Sequence, residues 1–177
     1  MTFPNSISAA QYSALAVSNV AAPGDGIIDA AQAAINFALV ADYDEIKNIR
    51  DMPSFGTPAN IVKVPVFGQA QTQSIGAQSD APDLELTINY VPLDWAAGTT
   101  LGDYVSDGES KVFQFSLLPA KPADLTFTVG GLGTVDNANI YFIGKIESLL
   151  INPSRDDAST ATVALSIQSD FFGPFTI

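Results

Sequence analysis

The sequence predicts a mostly β chain, an antiparallel β-sandwich or barrel carrying one short α-helix. Three observations predict it. At least six segments alternate apolar and polar residues with the period of two that a half-buried strand requires. Turn signals recur every 8 to 12 residues. One stretch, Thr100 to Asp107, carries both a cap and a stop for a helix. At 177 residues the chain has room for one core, since domains split only beyond about 250 residues, and no internal repeat divides it.

Residues 1–34 are rich in Ala, Ser, Asn and Gln and read as an N-terminal arm, with Ala9 to Ala22 forming a helix or an extended segment. Pro23-Gly24-Asp25-Gly26 is a turn, because Pro presets φ and Gly accepts positive φ. Residues 35–177 form the β-domain. The run Ile27 to Asn36 has alanines that tempt a helix, a strand is expected around Ala34 to Asp42, and Asp44 to Asp51 is a charged stretch. Pro53, Gly56 and Pro58 then stop regular structure.

Ile61 to Phe67 is a strand with Val62, Val64 and Val66 on one face, and Pro65 places it at an edge or bulge because it has no N–H to donate. Gly68 to Pro82 is Gln, Ser, Ala and Gly with a single acid, a long adaptable loop. Asp83 to Val91 is the clearest strand, with Leu84, Leu86, Ile88 and Tyr90 facing a core and Glu85, Thr87 and Asn89 facing away. The helix follows, with Thr99 or Thr100 as cap, Asp103 in the first turn and Gly108 as its end.

Lys111 to Leu118 and Asp124 to Val129 each read as strands with one buried face. Ile140 to Ile151 is apolar on both faces, and Asn152 to Asp157 turns it into Ala161 to Ser169, a long C-terminal hairpin.

Composition restricts the chemistry. There is no Cys, so disulfides and thiolate metal sites are excluded, and there is no His, which removes the imidazole base and the commonest zinc and iron ligand. An enzyme would have to work with carboxylates, Lys or Tyr, and no pair of acids is selected by spacing; we expect no enzyme, no cofactor and no metal. Asp42, Asp44 and Glu45 lack the central Gly and distal Glu of a calcium loop and read as a solvated loop. Asp156-Asp157 suits a hairpin turn. Gly130-Gly131-Leu132-Gly133 is followed by no helix bearing Lys, so it reads as a turn and not a phosphate cradle, and Trp95 reads as core.

The charges are lopsided, 19 Asp and Glu against 7 Lys and Arg, for a net −12, while charged residues are only 15% of the chain. Phosphate binding relies on Lys and Arg, so direct grip on nucleic acid is not expected. An acidic wall beside DNA suits a conduit, and surplus acid also keeps an apolar surface soluble. No apolar run approaches the roughly 20 residues that span a bilayer. The first basic residue is Lys47, so the beginning does not read as a secretory signal and synthesis in the cytosol is expected. The low charge suggests surface buried between subunits. In Ala161 to Ser169 the second face is Thr162, Ala164, Ser166 and Gln168, small and polar where an ordinary solvent face carries Lys and Glu. That composition fits a wet lumen or an undemanding exposed face.

The order of elements over residues 35–177 resembles the major tail tube protein family of long-tailed bacteriophages, a fold shared with the type VI secretion tube. The resemblance rests on Ile61-Val62-Lys63-Val64-Pro65-Val66-Phe67-Gly68-Gln69, then Asp83-Leu84-Glu85-Leu86-Thr87-Ile88-Asn89-Tyr90, the short helix Leu101-Gly102-Asp103-Tyr104-Val105, the strand Val112-Phe113-Gln114-Phe115, and the hairpin pairing Phe142-Ile143-Gly144-Lys145-Ile146 with Thr162-Val163-Ala164-Leu165-Ser166. It implies a virion structural protein that forms hexameric rings, stacked into a tube around a channel. That channel holds a tape measure protein and then conducts DNA during ejection, with a tail terminator and baseplate or tip proteins as further partners and no membrane. On this resemblance Glu85, Glu147, Thr162, Ser166 and Gln168 line the lumen, while Gln69, Gln71, Gln73, Ser74 and Asp80 lie in a loop reaching the neighbouring ring. The Ala-rich residues 1–34 have no counterpart in the family pattern. A capsid decoration or adhesive β-domain shares the acidic, Cys-free, strand-rich composition, and a type VI secretion tube subunit shares the fold.

Overall fold

A computed structural model of the chain describes residues 13–22, 43–54, 56, 61–65, 67, 73–76, 83–97, 100–118, 127–128, 131–132 and 138–175. The main body is one antiparallel eight-stranded sheet. Its strands are β1 (Ala14–Ala21), β2 (Tyr43–Glu45), β3 (Ile49–Asp51), β6 (Leu84–Asn89), β7 (Lys111–Leu117), β10 (Ala138–Asn152), β11 (Thr160–Ile167) and β12 (Phe172–Phe175). They run in the order β2-β1-β7-β10-β11-β6-β3, with β12 also on β10. Two small ladders stand apart, β4 (Ile61–Val64) with β5 (Gln73–Gly76), and β8 (Phe127–Thr128) with β9 (Gly131–Leu132). The single described helix is α1 (Thr100–Asp107).

The two ends of that strand order are neighbours in the chain. β2 pairs with β1 at one end, β3 pairs with β6 at the other, and only Ile46, Lys47 and Asn48 separate them. The sheet therefore closes on itself through one short segment. At the bend the Ile46 N–H donates to the Leu15 carbonyl at 2.9 Å and the Asn89 N–H donates to the Asn48 carbonyl at 2.9 Å, so each flanking strand keeps a backbone partner. Asn48 takes φ 61°, a left-handed conformation that Asn tolerates better than other side chains because its amide bonds locally. Ile46 points inward and is buried.

The interior follows from the alternation. Leu15 and Val17 of β1, Phe113 and Phe115 of β7, Phe142 and Ile146 of β10, Ala161, Val163, Leu165 and Ile167 of β11, and Leu84, Leu86 and Ile88 of β6 form one cluster with Ile46. Trp95, Leu101 and Tyr104 close it from the helix side. Phe113 stacks on Phe142 with centroids 5.1 Å apart, and Phe171 tilts against Phe142 at 5.2 Å. The strand and helix expectations for Asp83 to Val91, Thr100 to Asp107 and the β10–β11 hairpin are met, as is the core position of Trp95. Gly108 ends α1 with φ 69°, the left-handed turn that a glycine takes without strain.

Three expectations are corrected and one open choice is decided. Of helix or extended segment for Ala9 to Ala22, residues 14–21 take the extended form, as a strand inserted between β2 and β7, because a row of Ala and Ser is thin enough to lie in a covered layer. β7 is buried on both faces, not one: Val112, Gln114 and Ser116 are withdrawn from water along with Phe113 and Phe115. The polar members are accommodated by a seam in which Gln114 Nε2 donates to Ser116 Oγ at 3.2 Å, Ser116 Oγ donates to Asn139 Oδ1 at 2.7 Å, and the Val112 N–H donates to Ser18 Oγ at 3.1 Å. Tyr43 to Glu45 is a strand and not a solvated loop, since Tyr43 and Ile46 supply the buried contacts that a charged stretch hides. Gln73 to Gly76 is a strand paired with β4, so Gly68 to Pro82 is not all loop. The expected strand at residues 34–42, the turn at 23–26 and the helix-tempting run 27–36 lie outside the described residues, as do Thr99, residues 124–126 and 129–130, and Gly133.

Helix α1 is fixed at its middle and at its C-terminal end. Tyr104 Oη donates to Asp44 Oδ2 at 2.8 Å, joining the helix to β2. Burial, then the Asp44 carboxylate, raises the Tyr104 phenol well above its ordinary range, so it stays a donor. Lys111, almost fully buried at the start of β7, pairs with Asp107 at 3.1 Å and Glu109 at 3.7 Å and lies 4.4 Å from the Tyr104 ring centroid. A buried ammonium needs such partners, because an unpaired charge out of water is costly.

Two expected outcomes follow from the closing segment. Ile46→Ala removes the inward plug and costs about 2–5 kcal/mol in denaturant unfolding, whereas Asn48→Gly keeps the left-handed bend nearly unchanged and Asn48→Val costs about 1–2 kcal/mol. Glu45 is half-buried; desolvation raises its folded pKa, and Lys47 opposes this more weakly. The folded state thus holds this proton more tightly than the unfolded chain does, so stability falls as pH rises through the ordinary Glu range and the penalty persists above it. Glu45→Gln is expected to raise the melting temperature at pH 7, with the gain vanishing well below pH 4.5, read by thermal scans at the two pH values.

Candidate functional site: the outer face of β6, β11 and the end of β10

The sheet has two halves that share β10. Residues Ala138 to Gly144 pair with β7, and Gly144 to Asn152 pair with β11. In the second half only the inner face belongs to the core. The outer face carries Glu85, Thr87 and Asn89 from β6, Thr160, Thr162, Ala164 and Ser166 from β11, and Lys145, Ser148, Leu150 and Asn152 from β10. Register sets the rows: Glu85 beside Ala164 beside Ser148, Thr87 beside Thr162 beside Leu150, Asn89 beside Thr160 beside Asn152, and Ser166 beside Lys145. Asp51 of β3 extends the Thr87 row. Short side chains on neighbouring strands make this face low and flat.

Glu147 sits where the register slips, Ile146 opposite Leu165 and Ser148 opposite Ala164, so it is the extra residue of a β-bulge. The bulge turns its carboxylate over the face. Ser166 Oγ donates to Glu147 Oε1 at 2.7 Å, and Lys145 Nζ lies 3.3 Å from its other oxygen. The serine hydrogen bond first, then Lys145, holds the Glu147 carboxyl below its ordinary range, so it is ionised at neutral pH. Three carboxylates, Asp51, Glu85 and Glu147, thus accompany one ammonium, Lys145, and the face is weakly negative. Asn152 Nδ2 approaches Thr162 Oγ1 at 3.4 Å.

Of the residues singled out in the sequence, Glu85, Glu147, Thr162 and Ser166 share this face. Gln168 lies just past β11, where its side chain accepts from Ser110 Oγ and its N–H donates to the Ile143 carbonyl at 2.8 Å. Gln73 and Ser74 are on β5, opposite Val64 and Lys63. Gln69, Gln71 and Asp80 lie outside the described residues. At the hairpin turn Ala158 N–H donates to Asp157 Oδ1 at 2.8 Å, the local capping expected of Asp in a turn, and Asp157 N–H donates to Ser154 Oγ at 3.1 Å, the same device made by Ser. Arg50 reaches Asp157 at 3.7 Å, an exposed pair of little energetic weight.

Sequence reasoning missed the exposed apolar residues. Phe67 is fully exposed, and Val91, Leu93, Leu150 and Ile151 are exposed at the end of the sheet where β6 leaves and β10 reaches its tip. Phe67 and Ile151 lay within runs that read as ordinary strands, and alternation does not tell an inward position from one that extends past the core. Among the described residues no group of three or more acids could hold a metal ion, and no helix is long and apolar enough to cross a membrane.

No protein-family model matches the chain, and no curated protein matches it. Solved structures do. The chain is similar to one in the cryo-EM structure of an extracellular contractile injection system, the PVC sheath/tube terminator in the extended state, with a TM-score of 0.60 and 12% identity over 96% of this chain and 97% of that one. It is also similar to a chain of the anti-feeding prophage (AFP) baseplate, 6-fold symmetrised, with a TM-score of 0.54 and 11% identity over 98% of each. At such identity the likeness is one of architecture: over nearly its whole length the chain shares the fold of these two contractile injection system chains.

Proposed function

We propose that the chain is a non-enzymatic structural subunit of a tail-like particle, assembling as hexameric rings around a channel that holds a tape measure protein and conducts DNA. The outer face of β6, β11 and β10 carries this reading. It is a sheet surface built mainly of Thr, Ser, Ala and Asn, with Leu150 as its exposed apolar member among the described residues and a small excess of carboxylate, so it does not grip phosphate. In a closed ring it lines the bore, with Glu85, Glu147, Thr162 and Ser166 at the wall. Among the described residues no strand pairs with β10 on the side away from β11 beyond Gly144, so its far half offers a backbone edge to a second copy. Its run Ser148-Leu149-Leu150-Ile151-Asn152 is uncharged, lacking the Lys or Pro that usually blunts such an edge. The β4–β5 hairpin, separate from the main sheet, is then the element that reaches a neighbouring ring.

A second reading is supported by the terminator likeness: a ring that ends a tube or joins it to a baseplate instead of repeating along it. Both readings predict rings and differ in whether the rings stack. The purified chain, concentrated and viewed by negative-stain electron microscopy, is expected to form six-subunit rings with a central hole. Stacked hollow tubes select the repeating subunit, isolated rings select the terminal one, and a compact monomer at all concentrations rejects both. Glu147→Arg is expected to leave ring formation intact while raising retention of DNA by the rings, measured by filter binding at low salt.

A further inference from the structure

β7 carries an amide into the covered half of the sheet. Gln114 is withdrawn from water altogether, in the layer that Ala16, Tyr43, Val112 and Tyr141 form on the second face of β1, β7 and β10. Register sets it between Ala16 of β1 and Tyr141 of β10, and β12 continues the row with Phe172 beside Tyr141. The amide heads a polar chain: Gln114 Nε2 donates to Ser116 Oγ at 3.2 Å, and Ser116 Oγ donates to Asn139 Oδ1 at 2.7 Å. Among the described residues no group donates to Gln114 Oε1.

The direction of that chain is fixed by counting hydrogens. A serine hydroxyl has one, and Ser116 gives it to Asn139, so Ser116 can only accept from Gln114. The amide nitrogen therefore faces Ser116 and the oxygen faces away from it. Turning both amides over reverses the chain and puts the Gln114 nitrogen where the oxygen was, so the same position asks for a partner either way. A buried amide atom without a partner is costly, and native interiors supply one from the protein or from water.

Water suits this position on two counts. It donates and accepts, so it satisfies the amide in either orientation. The residues of β1 opposite Gln114 and Ser116 are Ala16 and Ala14, whose methyl groups fill little of the space beside the amide from that strand. A second polar group stands on the other side of Gln114, the hydroxyl of Tyr141. Burial raises the Tyr141 phenol well above its ordinary range, so it keeps its proton, and a phenol can accept as well as donate. The Tyr43 phenol is raised in the same way, by burial first and then by Tyr141.

We propose that the seam holds one internal water, which donates to Gln114 Oε1 and bonds the Tyr141 hydroxyl. It is the head of the chain that runs through Gln114 and Ser116 to Asn139, and it ties β7 to β10 on the covered face. The site belongs to the fold of a single copy and is independent of how copies assemble.

The test joins a crystal structure of the full chain, at a resolution that places internal waters, to relaxation dispersion of the water oxygen nucleus in solution. The second measurement registers long-resident waters and does not respond to exchanging hydroxyl protons. Density for a water within hydrogen-bond distance of Gln114 Oε1 and Tyr141 Oη is expected. So is the loss of one long-resident water in Gln114→Met, which keeps the length of the side chain and removes its amide. A protein N–H or O–H donating to Gln114 Oε1 in place of water overturns the proposal, as does an equal number of long-resident waters in the two proteins. Should Gln114→Met fail to fold, the density of the unaltered chain decides the matter alone.

Discussion

Everything in this fold depends on the three residues that bridge β2 and β3. A sheet in this strand order would present two raw edges, β1 at one side and β6 at the other, each a row of unpaired N–H and C=O groups. One passage of the chain from Tyr43 to Asp51 pairs with both, and between the two pairings it drops Ile46 into the interior. Backbone satisfaction and apolar burial are therefore achieved by the same residues. A side chain of that size withdrawn from water contributes about 1.5–3 kcal/mol, but its greater effect is topological. With the circuit closed, the aromatic pair Phe113–Phe142 and the aliphatic rows of β6 and β11 belong to one cluster instead of two.

The two halves of the sheet are dressed differently, and the difference is what makes one of them available. Ala14 to Ser18 of β1, β7 and the first half of β10 are covered on both faces; the second face collects Ala16, Tyr43, Val112 and Tyr141 around a polar seam of Ser18, Gln114, Ser116 and Asn139. Buried polar seams of this kind fix register, because a one-residue slip would strand amides and hydroxyls without partners. β6, β11 and the far half of β10 are covered on one face only. The rigid half holds the open half in place, and the open half presents the low, weakly acidic surface on which the functional proposal rests.

Much of this was legible where a strand has one wet face. Leu84, Leu86 and Ile88 announce β6, Val163, Leu165 and Ile167 announce β11, and Thr100 to Gly108 announces the helix, because burial on one side forces alternation into the sequence. The candidate site was legible for the same reason: Thr162 and Ser166 are the wrong residues for an ordinary solvent face. Where both faces are covered the signal disappears. β1 is Ala-Leu-Ala-Val-Ser, which reads equally as helix or extended segment, and Gln114 and Ser116 imitate an exposed face while sitting in a buried polar seam. The closing segment was hidden by its charges, since its strands are three residues long and their pairing is decided by partners far away in sequence. Phe67 was hidden differently: an apolar residue looks alike whether it packs on its own chain or on nothing.

Gly144 is where β10 passes from one half to the other. A Cβ there would stand 2.8 Å from the Ser166 carbonyl oxygen and 3.5 Å from the Phe113 ring, so the neighbouring strand and the core aromatic close in on bare backbone. The residue pairs with Lys111 on one side and Ile167 on the other. The two halves therefore share one continuous strand, joined by covalent bonds at a residue with no room for a side chain. A substitution at Gly144 would press at once on the Ser166 backbone of the open half and on the Phe113 ring of the covered half.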